Sequence, residues 1–191
     1  MKRGLLKNNS EKIAALFAAV MIVSVLVGSF AAVFLDGEQN TDIYRYLTGF
    51  FSSYGNNIDK AAVCRRSVGM NMRIFIPVTI SGFFIFGNLA AAACMAVKGF
   101  IWGFCGGLYV KYYGVKGILL SLASLPSCII VVFSVMLFSV IASELRKERD
   151  RKNSFIRYMI ISLMLLLTFS TAALVDAFVV CPALAAVIKL L

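Results

Sequence analysis

Histidine is absent from this chain of 191 residues. That removes the commonest metal ligand and the commonest general base together. Acidic side chains are scarce, with nine Asp and Glu against nineteen Lys and Arg, so paired carboxylates for acid–base work are hard to assemble. The five cysteines (Cys64, Cys94, Cys105, Cys128, Cys181) are scattered, with no CxxC pair. They suit neither a metal site nor a disulfide framework. Cys64 and Cys181 can face the same side of a membrane, and a disulfide between them would show as a thiol count that rises on reduction. There is no Ser–His arrangement and no nucleotide-binding glycine loop. From these absences we expect no catalytic set, no cofactor and no metal.

Long apolar runs fill the space left by those absences. Residues 13–35 carry no charge over 23 positions, 74–97 over 24 and 117–143 over 27, and 158–188 is interrupted only by Asp176. A further stretch, 99–110, has only 12 residues. A bilayer core of roughly 30 Å needs about 20 apolar residues per helix. The pattern predicts an all-α, polytopic membrane domain with five transmembrane helices near 13–35, 74–95, 97–113, 117–143 and 157–181. The third is short, an amphipathic outer segment covers 36–73, and a basic connector covers 144–156. A re-entrant third stretch is the other option. Crossing is preferred because Gly114 and Lys116-Gly117 read as a turn.

The net charge of +10 would suggest nucleic acid in a soluble protein. Here the basic residues cluster at the ends of apolar runs, where they set topology and meet lipid head groups. With the N-terminal tail cytoplasmic, Lys2, Arg3, Lys7 and Lys12 share a side with Lys98 and the 146–157 cluster, eleven against eight outside. This predicts an inside N-terminus and an outside C-terminus. Ser29-Phe30-Ala31 loosely resembles a signal-cleavage site, but the preceding run is too long for a signal core, so an uncleaved first span is expected.

In the outer segment, Ile43, Leu47, Phe50, Phe51 and Tyr54 recur at helical spacing and give residues 42–54 an apolar, aromatic face. Such a face lies on lipid head groups or docks a partner protein. Gly99, Gly103 and Gly107 form a stripe on one helix face, matched by Ser24, Gly28 and Ala32 in the first run. Small residues let helix backbones approach in lipid, either within one chain or between copies in an oligomer. Pro126 should kink the fourth span, with Ser124, Ser127 or water taking up the freed carbonyl. Asp176 should sit in the outer third of the fifth span, either functional or paired with Arg73, Asn71 or Lys116. Asn88 can add an interhelical hydrogen bond, and Glu148 is placed for an i,i+4 pair with Lys152.

The run Lys98-Gly99-Phe100-Ile101-Trp102-Gly103-Phe104, then Gly106-Gly107, Gly114-Val115-Lys116-Gly117 and Leu125-Pro126, resembles the core of the stage II sporulation protein M family. Tyr46-Leu47 with Phe50-Phe51, Asn71, and an acidic residue followed by proline in the last span add to the resemblance. It covers roughly residues 10–191. Ser127-Cys128 departs from the polar amide that sporulation members often carry there. The resemblance implies a non-catalytic scaffold in the bacterial cell membrane. Its partners would be peptidoglycan hydrolases similar to stage II sporulation proteins D and P, acting in septal wall thinning and forespore engulfment, with the outer segment as the place of contact. From Pro126, Asp176 and the glycine-rich third stretch, a small permease or transporter membrane subunit is the alternative.

Overall fold

The structure is a computed structural model and describes residues 2–54, 59–82, 84, 86–146 and 151–188, with the side chains of 2–10, 50–54, 151, 152 and 188 left out. The described residues form the helices α1 (Lys2–Val33), α2 (Glu38–Tyr54), α3 (Lys60–Ser81), α4 (Gly87–Tyr113), α5 (Val115–Ala123), α6 (Leu125–Leu145) and α7 (Arg151–Val175). A π-helical turn, Asp176–Val180, then carries α7 into α8 (Cys181–Ile188). Four helical segments are long and apolar enough to cross a bilayer: Glu11–Val33, Gly87–Tyr113, Leu125–Leu145 and Asn153–Val187.

The tightest contact joins α1 to α4. A Cβ added at Gly28 would fall well inside 3.0 Å of the Phe100 carbonyl, and one at Gly103 equally close to that of Val25. Gly107 lies against Ser29 and Ala32, and Gly99 against Met21 and Ser24. Ser29 Oγ donates to Gly103 O at 3.1 Å. The predicted glycine stripe is therefore taken up by packing within one chain. Higher numbers pair with higher numbers, so α1 and α4 run parallel.

A parallel pair requires the chain to return along the bundle between its two members. That return is α3, which runs against α7: Ser67 meets Asp176, Asn71 meets Phe169 and Thr79 meets Tyr158. At 22 residues it spans about 33 Å. Asp59 starts it by accepting from Ala61 N at 2.9 Å and Ala62 N at 3.3 Å, a normal N-cap.

These helices redraw two expected boundaries. The spans expected over 74–95 and 97–113 do not exist as such, because the chain turns between Ser81 and Gly87, inside the apolar run. Phe84 N donates to Ser81 O at 2.9 Å and Gly87 N to Phe84 O at 3.0 Å. The glycines allow the turn to be tight: a Cβ on Gly87 would strike the Ser81 carbonyl, and one on Gly82 the Tyr158 hydroxyl. Everything from Gly87 to Tyr113 is then one helix of 27 residues, so the third long helix is not short and Lys98 does not end it. Beyond it, Gly114 adopts a positive φ of 58° and makes the predicted turn.

Pro126 also behaves differently from expectation. It sits in the first turn of a new helix instead of kinking an existing one, where its missing N–H costs little. Ser124, at the break, donates to Ser121 O at 2.8 Å and accepts from Trp102 Nε1 at 3.0 Å. The core contains Phe17, Met95, Val131, Val135, Phe138, Leu165 and Phe169. Phe75 meets Phe169 edge-on at 6.1 Å, and Phe138 meets Tyr158 at 5.6 Å. The outward faces are apolar too (Ile22, Leu26, Phe30, Leu163, Leu167 and Phe178 are all exposed), as helices surrounded by lipid require.

Replacing Gly103 by Val places a branched side chain against the α1 backbone and is expected to destabilise the fold by about 1–3 kcal/mol. Gly69→Ala, where an added Cβ meets nothing within 4 Å, should be neutral or slightly stabilising. Thermal melting of both variants in mild detergent checks the pair. Equal midpoints would mean that the α1–α4 approach is looser than described.

Candidate functional site

Helix α2 has a high content of polar and charged residues along one side, and its first turn begins at Glu38. It is tied to the end of α4 at one corner. Tyr112 Oη donates to Asn40 O at 3.0 Å and also to Asn40 Oδ1, and the rings of Tyr44 and Tyr112 lie 5.1 Å apart. Beside it, Lys111 Nζ donates to the carbonyls of Ala32 at 3.4 Å, Val33 at 3.2 Å and Leu35 at 2.6 Å. Ala32 and Val33 belong to the last turn of α1, whose carbonyls lack helical partners, and Leu35 lies just beyond it; a cation there also opposes the negative end of the helix dipole. Lys111 and Tyr112 thus bind the end of α1 and the start of α2 to one point.

Of the expected docking face, Ile43 and Leu47 are half-buried. Phe50, Phe51 and Tyr54 fall within α2, but their side chains lie outside the described residues. Tyr46 is 65% exposed.

The polar residues inside the bundle are placed as follows. Asp176 accepts a hydrogen bond from Ser67 Oγ, a partner absent from the three that the sequence suggested. The π-helical turn begins at Asp176, whose carbonyl accepts from Cys181 N. Pro182 has no N–H and its ring crowds the carbonyl four residues back, so a widened turn just before it relieves the helix. Buried Asn71 donates Nδ2 to Phe169 O at 3.3 Å. Asn88 does bridge helices: Arg146 Nη2 donates to its Oδ1 at 2.7 Å, while Nη1 donates to Phe84 O. The Glu148–Lys152 pair lies outside the described residues. All five cysteines are free thiols, Cys64 and Cys181 included. Among the described residues no three Cys, Asp or Glu side chains gather as a metal site would need.

One feature escaped sequence reasoning. A cavity of about 560 Å³ opens between α3 and α4, lined by Arg73, Ile74, Lys98, Trp102, Cys105 and Tyr109 among others. Lys98 reads as a span-ending residue only while a helix is assumed to end there. In one 27-residue helix it falls near the middle, and α3 brings Arg73 beside the same space. The signal was present in the unbroken helical pattern from Gly87 onward, but the charge hid it.

Compared with protein families, the chain matches the model described as stage II sporulation protein M over residues 14–180, most of its length. No curated protein and no solved structure matches it.

Two substitutions test how the outer end and the Asp176 region are held. Lys111→Met should strand three carbonyls and cost about 1–2 kcal/mol, seen as a lower melting midpoint in detergent. Ser67→Ala should cost about 1–2 kcal/mol, since the Asp176 side chain loses a hydrogen-bond partner. An unchanged midpoint for either would remove that contact from the account.

Proposed function

Because the chain belongs to the stage II sporulation protein M family, we propose that it is a non-catalytic scaffold of the bacterial cell membrane. In this reading it holds peptidoglycan-degrading partners, similar to stage II sporulation proteins D and P, at the outer surface during septal thinning and engulfment. The observation that carries the reading is the placement of α2. Its start is fixed to the bundle through Asn40 and Tyr44, while its latter half, with Tyr46 exposed and Phe50, Phe51 and Tyr54 following, extends from that corner. A helix tied to the bundle at its start leaves its aromatic residues open to a partner, and the tie lowers the freedom lost when that partner arrives.

The parallel α1–α4 pair supports a five-crossing topology within this reading. With the N-terminus cytoplasmic, α1 leads out, α3 returns, α4 leads out, α5 and α6 return, and α7 through α8 leads out. That makes five crossings, with α3 as the second. Arg146 bonds to Asn88 at the beginning of α4, so the basic connector and the basic N-terminal tail share the cytoplasmic end, as the positive-inside rule favours. Lys111 and α2 then stand at the outer end.

A permease, or the membrane subunit of a transporter, is the alternative. Broken helices line substrate sites in transporters, and here helices are interrupted at Ser124 and widened at Asp176. It requires Asp176→Asn to abolish a solute flux in vesicles, whereas the scaffold reading leaves flux at background in wild type and variant alike.

The scaffold reading is tested by quantitative affinity capture of the tagged protein, in mild detergent, from cells entering sporulation or starvation. Wall hydrolases with outward-facing domains should be enriched, and Phe50→Asp with Phe51→Asp should abolish their recovery at unchanged membrane levels of the protein. Recovery that persists in the double variant would remove α2 as the docking site. A C-terminal reporter should be active only outside. Cytoplasmic activity would overturn the five-crossing topology.

A further inference from the structure

Arg73 and Lys98 line one cavity, and neither has a hydrogen bond or ion pair among the described residues. Asp176, the acidic residue of α7 and the π-helical turn, is engaged by Ser67. The lining of the cavity carries two cations and no carboxylate among the described residues. Uncompensated charge within a membrane-spanning bundle is costly, and cations there face a water-filled cavity or an anion. The remaining walls are largely apolar or aromatic, from Met70, Ile74, Val97, Ile101, Trp102 and Tyr109. Met70, Val97 and Ile101 are also exposed on the outer surface of the bundle, so the cavity opens sideways, toward where acyl chains lie. At about 560 Å³ it falls within the size range of ligand sites, which combine apolar walls with a few placed polar groups.

We propose that this groove between α3 and α4 binds one phosphate-bearing anionic lipid, with its phosphate between Arg73 and Lys98 and its apolar part along Ile74, Val97 and Ile101. Two cations supply the charge complement, and a guanidinium is well shaped to grip phosphate oxygens. The sideways opening selects a lipid over a soluble anion, which would have to reach the same depth without an apolar tail. Along α4 the lining runs from Cys94 to Tyr109. Occupancy would join α3 to the α1–α4 pair. The site does not rest on the scaffold reading.

The experiment titrates the full chain, stripped of lipid in mild detergent, with phosphatidylglycerol, phosphatidylcholine or inorganic phosphate, reading the melting midpoint. Phosphatidylglycerol should raise the midpoint saturably, and the other two should not. Arg73→Gln with Lys98→Gln should weaken the apparent affinity roughly 30-fold, on the scale expected for two basic contacts, while Arg73→Lys retains most of it. Equal stabilisation by phosphatidylcholine overturns the charge requirement. Stabilisation by inorganic phosphate alone overturns the lipid in favour of a soluble anion. Wild-type affinity for phosphatidylglycerol in the double variant overturns the site. If that variant does not fold, the three-ligand comparison on the unmodified chain still decides.

Discussion

In lipid there is little hydrophobic drive to bring two helices together, so the attraction must come from close surface fit. Here that fit is the approach of α1 and α4, with Gly28, Gly99, Gly103 and Gly107 bringing one backbone onto the other and Ser29 bonding across. The parallel direction of this pair governs everything that follows. It obliges the chain to come back through α3 despite the charges that helix carries. It also puts the start of α4 beside Arg146 and the end of α4 beside the end of α1.

The polar residues are distributed according to that arrangement. At one end Arg146 bonds to Asn88 and the Phe84 carbonyl, closing the corner between α3 and α4. At the other, Lys111 satisfies the last carbonyls of α1, and Tyr112 holds α2. Between the ends, Ser67, Asn71 and Ser124 each bond to a neighbouring helix, which matters because an unsatisfied polar group costs several kcal/mol in hydrocarbon. Arg73 and Lys98 depart from the pattern, and that is why their cavity reads as a place for something else. The proposed docking helix stands outside the bundle and is joined to it by the same residues that finish α1.

Much of this was readable from residue order. The long apolar runs gave three of the four membrane-length helices nearly whole, the small-residue stripes gave the α1–α4 contact, and Gly114 gave its turn. The failures share a cause. Hydropathy sees a turn only when the turn is polar, and the one between Ser81 and Gly87 is made of Phe, Ile and Gly. The helical spacing of Ala62, Val68 and Met72 leads into the apolar run, but α3 joins a half carrying Arg65 and Arg66 to a more apolar one, so hydropathy does not mark it as a single span. Lys98 was then assigned to a boundary that does not exist, and with it the cavity was lost. The sequence marks Asp176 as a residue in need of a partner, but Ser67 in that role depends on the direction of α3, which no local pattern encodes.

The glycine-lined contact also has a consequence in time. Ser29 and Gly103 are 74 positions apart, and ribosomes add about 5–20 residues per second. For roughly 4–15 s after α1 emerges, its small-residue face has no α4 to meet. During that interval the first helix must be kept in the bilayer by its own apolarity and shielded from other chains presenting similar faces. The first helix is therefore made well before the surface that completes it.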